Sequence, residues 1–281
     1  MKTIDFSEIE RRSESIKADF TQNEPFPHVV FDDLVHSDTL KKLIESFPDL
    51  DWTGWYNSDH THQRLKYSCS DSDAIPDPLR LLIFELNSGP FVKWLSNVTG
   101  IPDLLPDPFL LGGGLHRTEP GGWLSPHTDF HVVKGLPLFR RVNLLLYLNP
   151  GWAEENGGYL ELWDKRADRI AVKVPPIAGK CVIFRTDDQS MHGFSEPVAG
   201  RPRCSVAMYY YTAQEAEHFS GDGATYWRPQ SVRASTRREW LRLRGEGLFL
   251  QISRVASSVS WRAARAAGKF RPPVVSVEDT K

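Results

Sequence analysis

From Leu110 to Thr212 the chain is patterned as short apolar runs separated by Gly, Pro, Asn and Asp. The runs are Arg141–Leu148, Gly158–Trp163, Ile170–Val174, Gly179–Phe184 and Cys204–Tyr211. Runs recurring at this interval with no helical segment between them predict the strands of an all-β sandwich or jelly roll. Upstream the pattern changes. His28–Phe31 reads as a strand closed by Asp32-Asp33, and Leu40, Leu43 and Ile44 follow Ser37 and Asp38 at helical spacing, which predicts a short capped amphipathic helix over 37–46. Leu79, Leu82, Ile83, Leu86, Phe91, Trp94, Leu95 and Val98 mark one or two helices over 77–100, broken near Ser88-Gly89-Pro90. Residues 1–24 are charged and read as a helix or loose arm. Residues 51–75 show no clean period and read as a long loop or irregular strands, a kind of segment that is often functional.

Beyond the core region, Leu248, Ile252, Val255, Val259, Ala263 and Ala266 recur at helical spacing, while Arg254, Ser258, Arg262, Arg265 and Lys269 occupy another face. The expected organisation is therefore mainly β: a helical and strand support region over 1–109, a jelly-roll core over 110–231 and a basic amphipathic helical region over 232–281.

Charge sharpens the last of these. Val232 to Arg271 holds ten Lys/Arg against two Glu, a local +8, so with a net charge of −2 the remaining chain stands at −10. A basic amphipathic helix flanked by Trp240 and Trp261 suits an anionic membrane surface, which makes residues 240–270 a candidate peripheral membrane contact; a helix packed on the domain with a solvated basic face is the plainer alternative. Nucleic acid is not expected as a partner, since no aromatic stacking motif accompanies the basic residues. Hydrophobic residues make up 40% and charged residues 25% of the 281, an ordinary globular balance that allows a sizeable core. Only three cysteines occur, Cys69, Cys181 and Cys204, widely spaced, so neither a disulfide framework nor a CxxC zinc site is expected. The N-terminus lacks the apolar core of a signal peptide, and no stretch approaches the roughly 20 apolar residues that span a bilayer. The expected location is cytoplasmic, or peripheral at the inner face of the membrane.

The candidate chemistry begins at His127-Thr128-Asp129, reached through Pro120-Gly121-Gly122-Trp123. A His-x-Asp triplet means little alone: a second copy, His36-Ser37-Asp38, sits at a helix start where capping explains it. At 127–129, strand alternation would place both side chains on one face of the sheet. His192 follows the Cys181–Phe184 run and a loop, and is placed to supply a third ligand. Two histidines and one carboxylate form the facial triad of non-haem Fe(II) oxygenases, which leaves positions open for a 2-oxo acid and O2. The far carboxylate of such an acid needs a cation, and Arg203-Cys204-Ser205 puts a guanidinium and a hydroxyl on one strand face, with Arg201 as an alternative two residues away. His131 stands at zinc-pair spacing from His127, but its surroundings do not support a helix. His60 and His62, with Trp52, Trp55 and Tyr56, lie in the irregular stretch, either closing over a substrate or simply solvated. Gly112-Gly113-Gly114 reads as a bend or bulge.

Taken in order, Pro-Gly-Gly-Trp-x-x-Pro-His127-x-Asp129, Arg141-Val-Asn-Leu-Leu-Leu-Tyr147-Leu-Asn149-Pro-Gly-Trp152, the Gly157-Gly158 block, Gly179-x-x-Val-x-Phe184 and His192-Gly through Arg203 resemble the prolyl-4-hydroxylase-like branch of the 2-oxoglutarate/Fe(II) oxygenases. The resemblance covers about residues 110–212 and implies a double-stranded β-helix with supporting N-terminal helices. It further implies His127, Asp129 and His192 as the catalytic iron ligands, Arg203 as the salt-bridge partner of 2-oxoglutarate, and Tyr147 as a hydroxyl donor to the same carboxylate; Ser205, on the strand face of Arg203, is a further candidate contact to that co-substrate. Fe(II), 2-oxoglutarate and O2 are the implied cofactors, with ascorbate as an accompanying reductant. The family often has a Tyr shortly before its Pro-Gly-Gly element; here the chain reads Leu115-His116-Arg117-Thr118, which offers His116, Arg117 or Thr118 in its stead. The implied reaction is oxidative decarboxylation of 2-oxoglutarate to succinate and CO2 with hydroxylation of an unactivated C–H bond. Asp129 argues against halogenation, because the halogenases of this superfamily lack that carboxylate. The branch acts on small-molecule, peptidyl and saccharide substrates. Two alternatives stand beside this reading: a Kdo-hydroxylase-like enzyme acting on a lipid-linked sugar at the membrane surface, and a non-catalytic, cupin-like metal-binding sensor, against which Arg203 weighs.

Overall fold

A computed structural model of the chain describes residues 3–133, 136, 138–214, 225–228 and the single positions 256, 259 and 263. The chain opens with two helices, α1 (Phe6–Arg11) and α2 (Ser13–Gln22), followed by strand β1 (His28–Phe31) and helix α3 (Ser37–Glu45). Two strands come next, β2 (Tyr56–Asn57) and β3 (Gln63–Cys69), then helices α4 (Asp77–Leu86) and α5 (Gly89–Thr99) and the short β4 (Leu105–Pro106). The barrel strands are β5 (Gly114–Thr128), β6 (Phe139–Tyr147), β7 (Leu160–Asp164), β8 (Arg169–Val174), β9 (Cys181–Arg185), β10 (His192–Phe194) and β11 (Arg203–Thr212), with β12 (Tyr226–Trp227) returning to β5. Their order in the sheet is β1-β9-β6-β11-β5-β10-β7-β8, and β3 and β12 also pair with β5. All the registered pairs are antiparallel, and the sheet curls into a nearly closed barrel of the jelly-roll type.

The runs in β6, β9 and β11 are largely buried on both faces, which removes the polar half of the usual alternation, whereas β8 at the sheet edge keeps it. Along β6, Leu144 and Leu146 join the core shared with the helices, while Tyr147 turns inward with Leu160, Leu162, Val174, Val182 and Phe184. On β11, Cys204, Val206, Met208 and Tyr210 face the helices. The intervening Arg203, Ser205 and Tyr209 face the barrel interior, where they line a pocket. The helix layer braces the outer face: Trp94 Nε1 donates to Ile9 O at 3.2 Å and to Ser13 Oγ at 3.0 Å, tying α5 to α1 and α2.

Two local expectations are corrected, and the stretch 51–75 resolves into irregular strands, one of its two readings. Ser37 and Asp38 lie inside the first turn of α3 and do not cap it; His36 holds the cap position, with no side-chain capping bond, and its Nδ1 lies 2.9 Å from Asp5 Oδ2. Residues 51–75 include a true strand, because β3 pairs along β5 from Gln63↔Leu124 to Cys69↔Leu115, with an irregularity at Leu65, whose φ is 51°. That bulge, together with charged residues at 64 and 66, hid the strand period. Pro120–Trp123 lies within the 15-residue β5 and does not precede the sheet. The basic helix expected over 240–270 falls outside the described residues except at Ala256, Val259 and Ala263, which are helical and exposed. Among the described residues no helix is long and apolar enough to cross a membrane.

Candidate active site

Strand pairing assembles the triad. His127 on β5 and His192 on β10 are direct register partners, and Asp129 follows β5 by one residue. Gly193 is required by the closeness of these strands, since a Cβ there would lie 2.9 Å from Leu124 O and from the Pro126 backbone. Each imidazole commits its Nδ1 to a backbone carbonyl two residues earlier, His127 to Ser125 O and His192 to Ser190 O, both at 2.9 Å. A ring that donates from Nδ1 presents the lone pair of Nε2, the form a metal requires. Both Nε2 atoms lie 3.8 Å from an Asp129 oxygen, His127 from Oδ1 and His192 from Oδ2. The three ligand atoms lie within 4.8 Å of one another, and all three residues are buried.

Electrostatics favour the same state. Burial and the neighbouring His192 bring the pKa of His127 down to about 3, so its ring is neutral near neutral pH. Burial pushes Asp129 up, but His192, Arg140, His127 and the Asn143 hydrogen bond outweigh it and hold the carboxyl below its ordinary value. Asn143 Nδ2 donates to Asp129 Oδ2 at 3.3 Å, and the Tyr209 hydroxyl donates to Oδ1 at 3.4 Å. Arg140 Nη1 stands 3.7 Å from the same Oδ1, its guanidinium 3.7 Å from the Phe130 ring centroid and 3.5 Å from that of Tyr209. Two imidazole nitrogens and a carboxylate, converging without a proton donor among their free atoms, fit a divalent transition metal.

A pocket of about 170 Å³ opens from these three residues toward Arg203, with His116, Thr118, Leu145, Leu160, Phe194 and Ser205 in its lining. Arg203 is locked in place: Nε donates to Gly158 O at 2.8 Å, Nη2 donates to the Tyr147 hydroxyl at 3.0 Å, and the guanidinium lies 4.3 Å from the Phe194 ring centroid. Gly158 has φ +61°, and a Cβ there would approach Arg203 Cδ to 3.3 Å, so a glycine suits both the turn and the arginine. Arg201 is placed elsewhere, donating to Pro150 O at 2.7 Å. Of the candidates before Pro120, His116 and Thr118 line the pocket, whereas Arg117 bonds to Glu119 and Pro48 O. His131 is buried with Nδ1 3.7 Å from Asp188 Oδ1, apart from the triad.

Four pocket residues carried no sequence signal strong enough to find them. Tyr209 was hidden inside a strand run, Arg140 lay just before one, and Lys66 and Gln63 lay in the stretch without a period. Burial and the charge of Arg203 lower the Lys66 pKa to about 8, with Asp129 opposing. His62 does approach the site, stacked on Trp227 at 5.0 Å, and Trp227 lies 4.7 Å from the His127 ring.

A sequence model of the 2OG-Fe(II) oxygenase superfamily matches residues 113–211. Over 194 residues the chain is 29% identical to a curated relative from Mus musculus, prolyl 3-hydroxylase OGFOD1, covering 67% of this chain and 33% of that protein. The chain thus spans about a third of the length of the curated relatives it matches. In fold it is similar to a Trichoplax adhaerens prolyl hydroxylase solved with a hypoxia inducible factor peptide fragment (TM-score 0.55, 16% identity, covering 73% of this chain and 93% of that one). It is also similar to a Pseudomonas putida prolyl-4-hydroxylase (TM-score 0.51, 17% identity, 70% and 98%). The segment matched to the 2OG-Fe(II) oxygenase superfamily carries the triad, the arginine and the barrel strands that hold them, and over it the chain is similar to that superfamily.

Proposed function

We propose that this chain is a hydroxylase of peptidyl substrates in which His127, Asp129 and His192 hold iron and Arg203 holds 2-oxoglutarate. The observation that carries the reading is the convergence of three buried ligand atoms within 4.8 Å in a pocket that also contains Arg203. Iron(II) held by these residues would supply the oxidising chemistry for hydroxylation of an unactivated C–H bond, coupled to conversion of 2-oxoglutarate and O2 to succinate and CO2.

The chain's own residues supply binding and orientation. Ser125 O and Ser190 O fix the tautomers of the two ligating rings, and Arg140, Asn143 and Tyr209 hold the Asp129 carboxylate toward them. Arg203 has two of its N–H groups committed to Gly158 O and the Tyr147 hydroxyl, which leaves the rest of the fork for a carboxylate. The Tyr147 hydroxyl accepts from Arg203 and can donate its own proton to that carboxylate, and Ser205 lies on the same strand face. Leu145, Leu160 and Phe194 give the pocket that holds the triad and Arg203 an apolar part of its lining. A peptidyl substrate, with a prolyl residue as target, is favoured over a small molecule or saccharide by the curated relative named prolyl 3-hydroxylase.

The test is anaerobic addition of Fe(II) and 2-oxoglutarate, monitored by the weak visible charge-transfer absorption of the complex, followed by aerobic incubation with proline-containing peptides. Wild type should show the absorption, convert 2-oxoglutarate to succinate and add one oxygen to a peptide, while Asp129→Ala and Arg203→Ala lose the absorption. A wild-type protein that binds Fe(II) without any response to 2-oxoglutarate would refute the oxygenase reading and favour a metal-binding sensor.

A further inference from the structure

The two ligating rings are the interior members of a column of rings. Phe184 lies 4.6 Å from His192, His192 4.5 Å from His127, His127 4.7 Å from Trp227, and Trp227 5.0 Å from His62, nearly parallel at 6°. His60 closes the far end edge-on to Trp227 at 5.1 Å. At one end the column is anchored in the barrel core, where Phe184 is fully buried among Phe26, Tyr147, Leu162 and Val182. At the other end it depends on a four-residue segment, 225–228, that lies beyond the strands 113–211 which carry the triad and the arginine.

That segment is fastened as a strap. Trp227 pairs with His127 and Tyr226 with Thr128 in antiparallel register, so the indole is delivered beside the imidazole by backbone geometry. The next residue closes the attachment: Arg228 N donates to Pro126 O at 2.9 Å, Arg228 Nη2 reaches Asp168 Oδ1 at 2.6 Å, and its guanidinium sits 4.2 Å from the Trp163 ring centroid. The strap thus touches β5, β7 and the β7–β8 turn at once.

A single hydrogen bond from Nδ1 fixes the tautomer of an imidazole and one direction of its plane, but leaves the ring free to tilt about that bond. Rings packed on either side restrict that tilt. His192 lies between Phe184, inclined at 59°, and His127, at 46°; His127 lies between His192 and Trp227, the indole inclined at 33° and itself stacked at 6° on His62. We propose that Trp227 is a positioning residue of the metal centre, its indole clamping the His127 ring so that Nε2 stays directed at the metal position. The inference rests on the reading of the triad as an iron site, and assigns to the strap a part of the site that the family-matched segment does not contain.

The test measures metal affinity in the full chain with Co(II) as the probe, by its visible absorption in competition with a chelator, together with melting of the metal-free protein. Trp227→Ala should weaken Co(II) binding by about 10-fold or more, the range typical when an outer partner of a metal-bound histidine is lost. Trp227→Phe, which keeps a ring against His127, should recover most of that loss, and metal-free melting should change little in either variant. Wild-type Co(II) affinity in Trp227→Ala, with His127→Ala unable to bind, would overturn the positioning role and leave the iron site standing. Weakened binding accompanied by a large fall in metal-free melting, with no rescue by Phe, would overturn it as well, because the tryptophan would then be holding up the fold and not the ring. Failure of the wild type itself to bind Co(II) would sink the iron reading and this inference together.

Discussion

The inner wall of the pocket, built from His127, Asp129, His192 and Arg203, comes from strands β5, β10 and β11, and each of these side chains is buried and held by partners within the barrel. The outer wall, which includes Gln63, Lys66, Thr225 and Trp227, comes from β3 and the strap, both of which are added to the edges of β5 and lie outside the segment matched to the superfamily. In the function proposed above the inner wall has little latitude, because a metal and a dicarboxylic acid would dictate donor types and their spacing. The outer wall is built from chain outside the matched segment, which makes it the place to look for this chain's substrate preference.

If this division is real, substitutions on the inner wall should have large and chemically specific effects. The largest is expected for His192→Ala, which removes a proposed ligand and not merely its support. Metal affinity should fall by more than the roughly 10–100-fold that loss of an outer partner costs. Isothermal titration with Co(II) or Zn(II) measures it, and near wild-type binding would place the metal elsewhere and dissolve the distinction between the walls. A smaller effect is expected for Arg203→Lys. Lysine keeps the charge but cannot at once serve Gly158 O, the Tyr147 hydroxyl and a carboxylate, so affinity for 2-oxoglutarate should drop by about 10–100-fold while metal affinity is unchanged. Equal losses of metal and 2-oxoglutarate would instead mean that the arginine supports the barrel around Gly158.

The same division governs how far the sequence could be read. The β6 and β11 runs were legible because barrel strands packed between helices and interior are apolar on both faces, and that density stands out from any window of the chain. That His127, Asp129, His192 and Arg203 would lie in one pocket was legible because few residue types suit the iron and 2-oxo-acid roles proposed for them. Tyr209 and Arg140 were not, since in a run such as Ser205–Tyr211 nothing separates an aromatic that faces the helices, like Tyr210, from one that donates to Asp129. Lys66 was hidden by the positive φ of Leu65, which breaks the two-residue alternation just before it. Trp227 reaches His127 only through long-range pairing, and no local pattern announces that.

The smallest expected effect tests the outer wall through Lys66. Its ammonium faces the pocket with Arg203, Asp129 and His116 as neighbours, and burial and Arg203 lower its pKa to about 8. A lysine is cationic below its pKa and neutral above it, so any help Lys66 gives to an anionic ligand is present near pH 7 and is lost as pH rises through about 8, whereas Arg203 stays charged throughout. Affinity of the Zn(II)-loaded protein for 2-oxoglutarate should therefore decline several-fold, by less than about one order of magnitude, between about pH 7 and about pH 9. Lys66→Met should start from the weaker value and lose most of the pH dependence, because the titrating charge is gone while the fork of Arg203 remains. A pH profile identical in the two proteins would show that Lys66 does not sense the co-substrate. Its charge would then be directed at the peptide, and the same pair of proteins assayed with peptides carrying or lacking an acidic residue next to the target would reveal it.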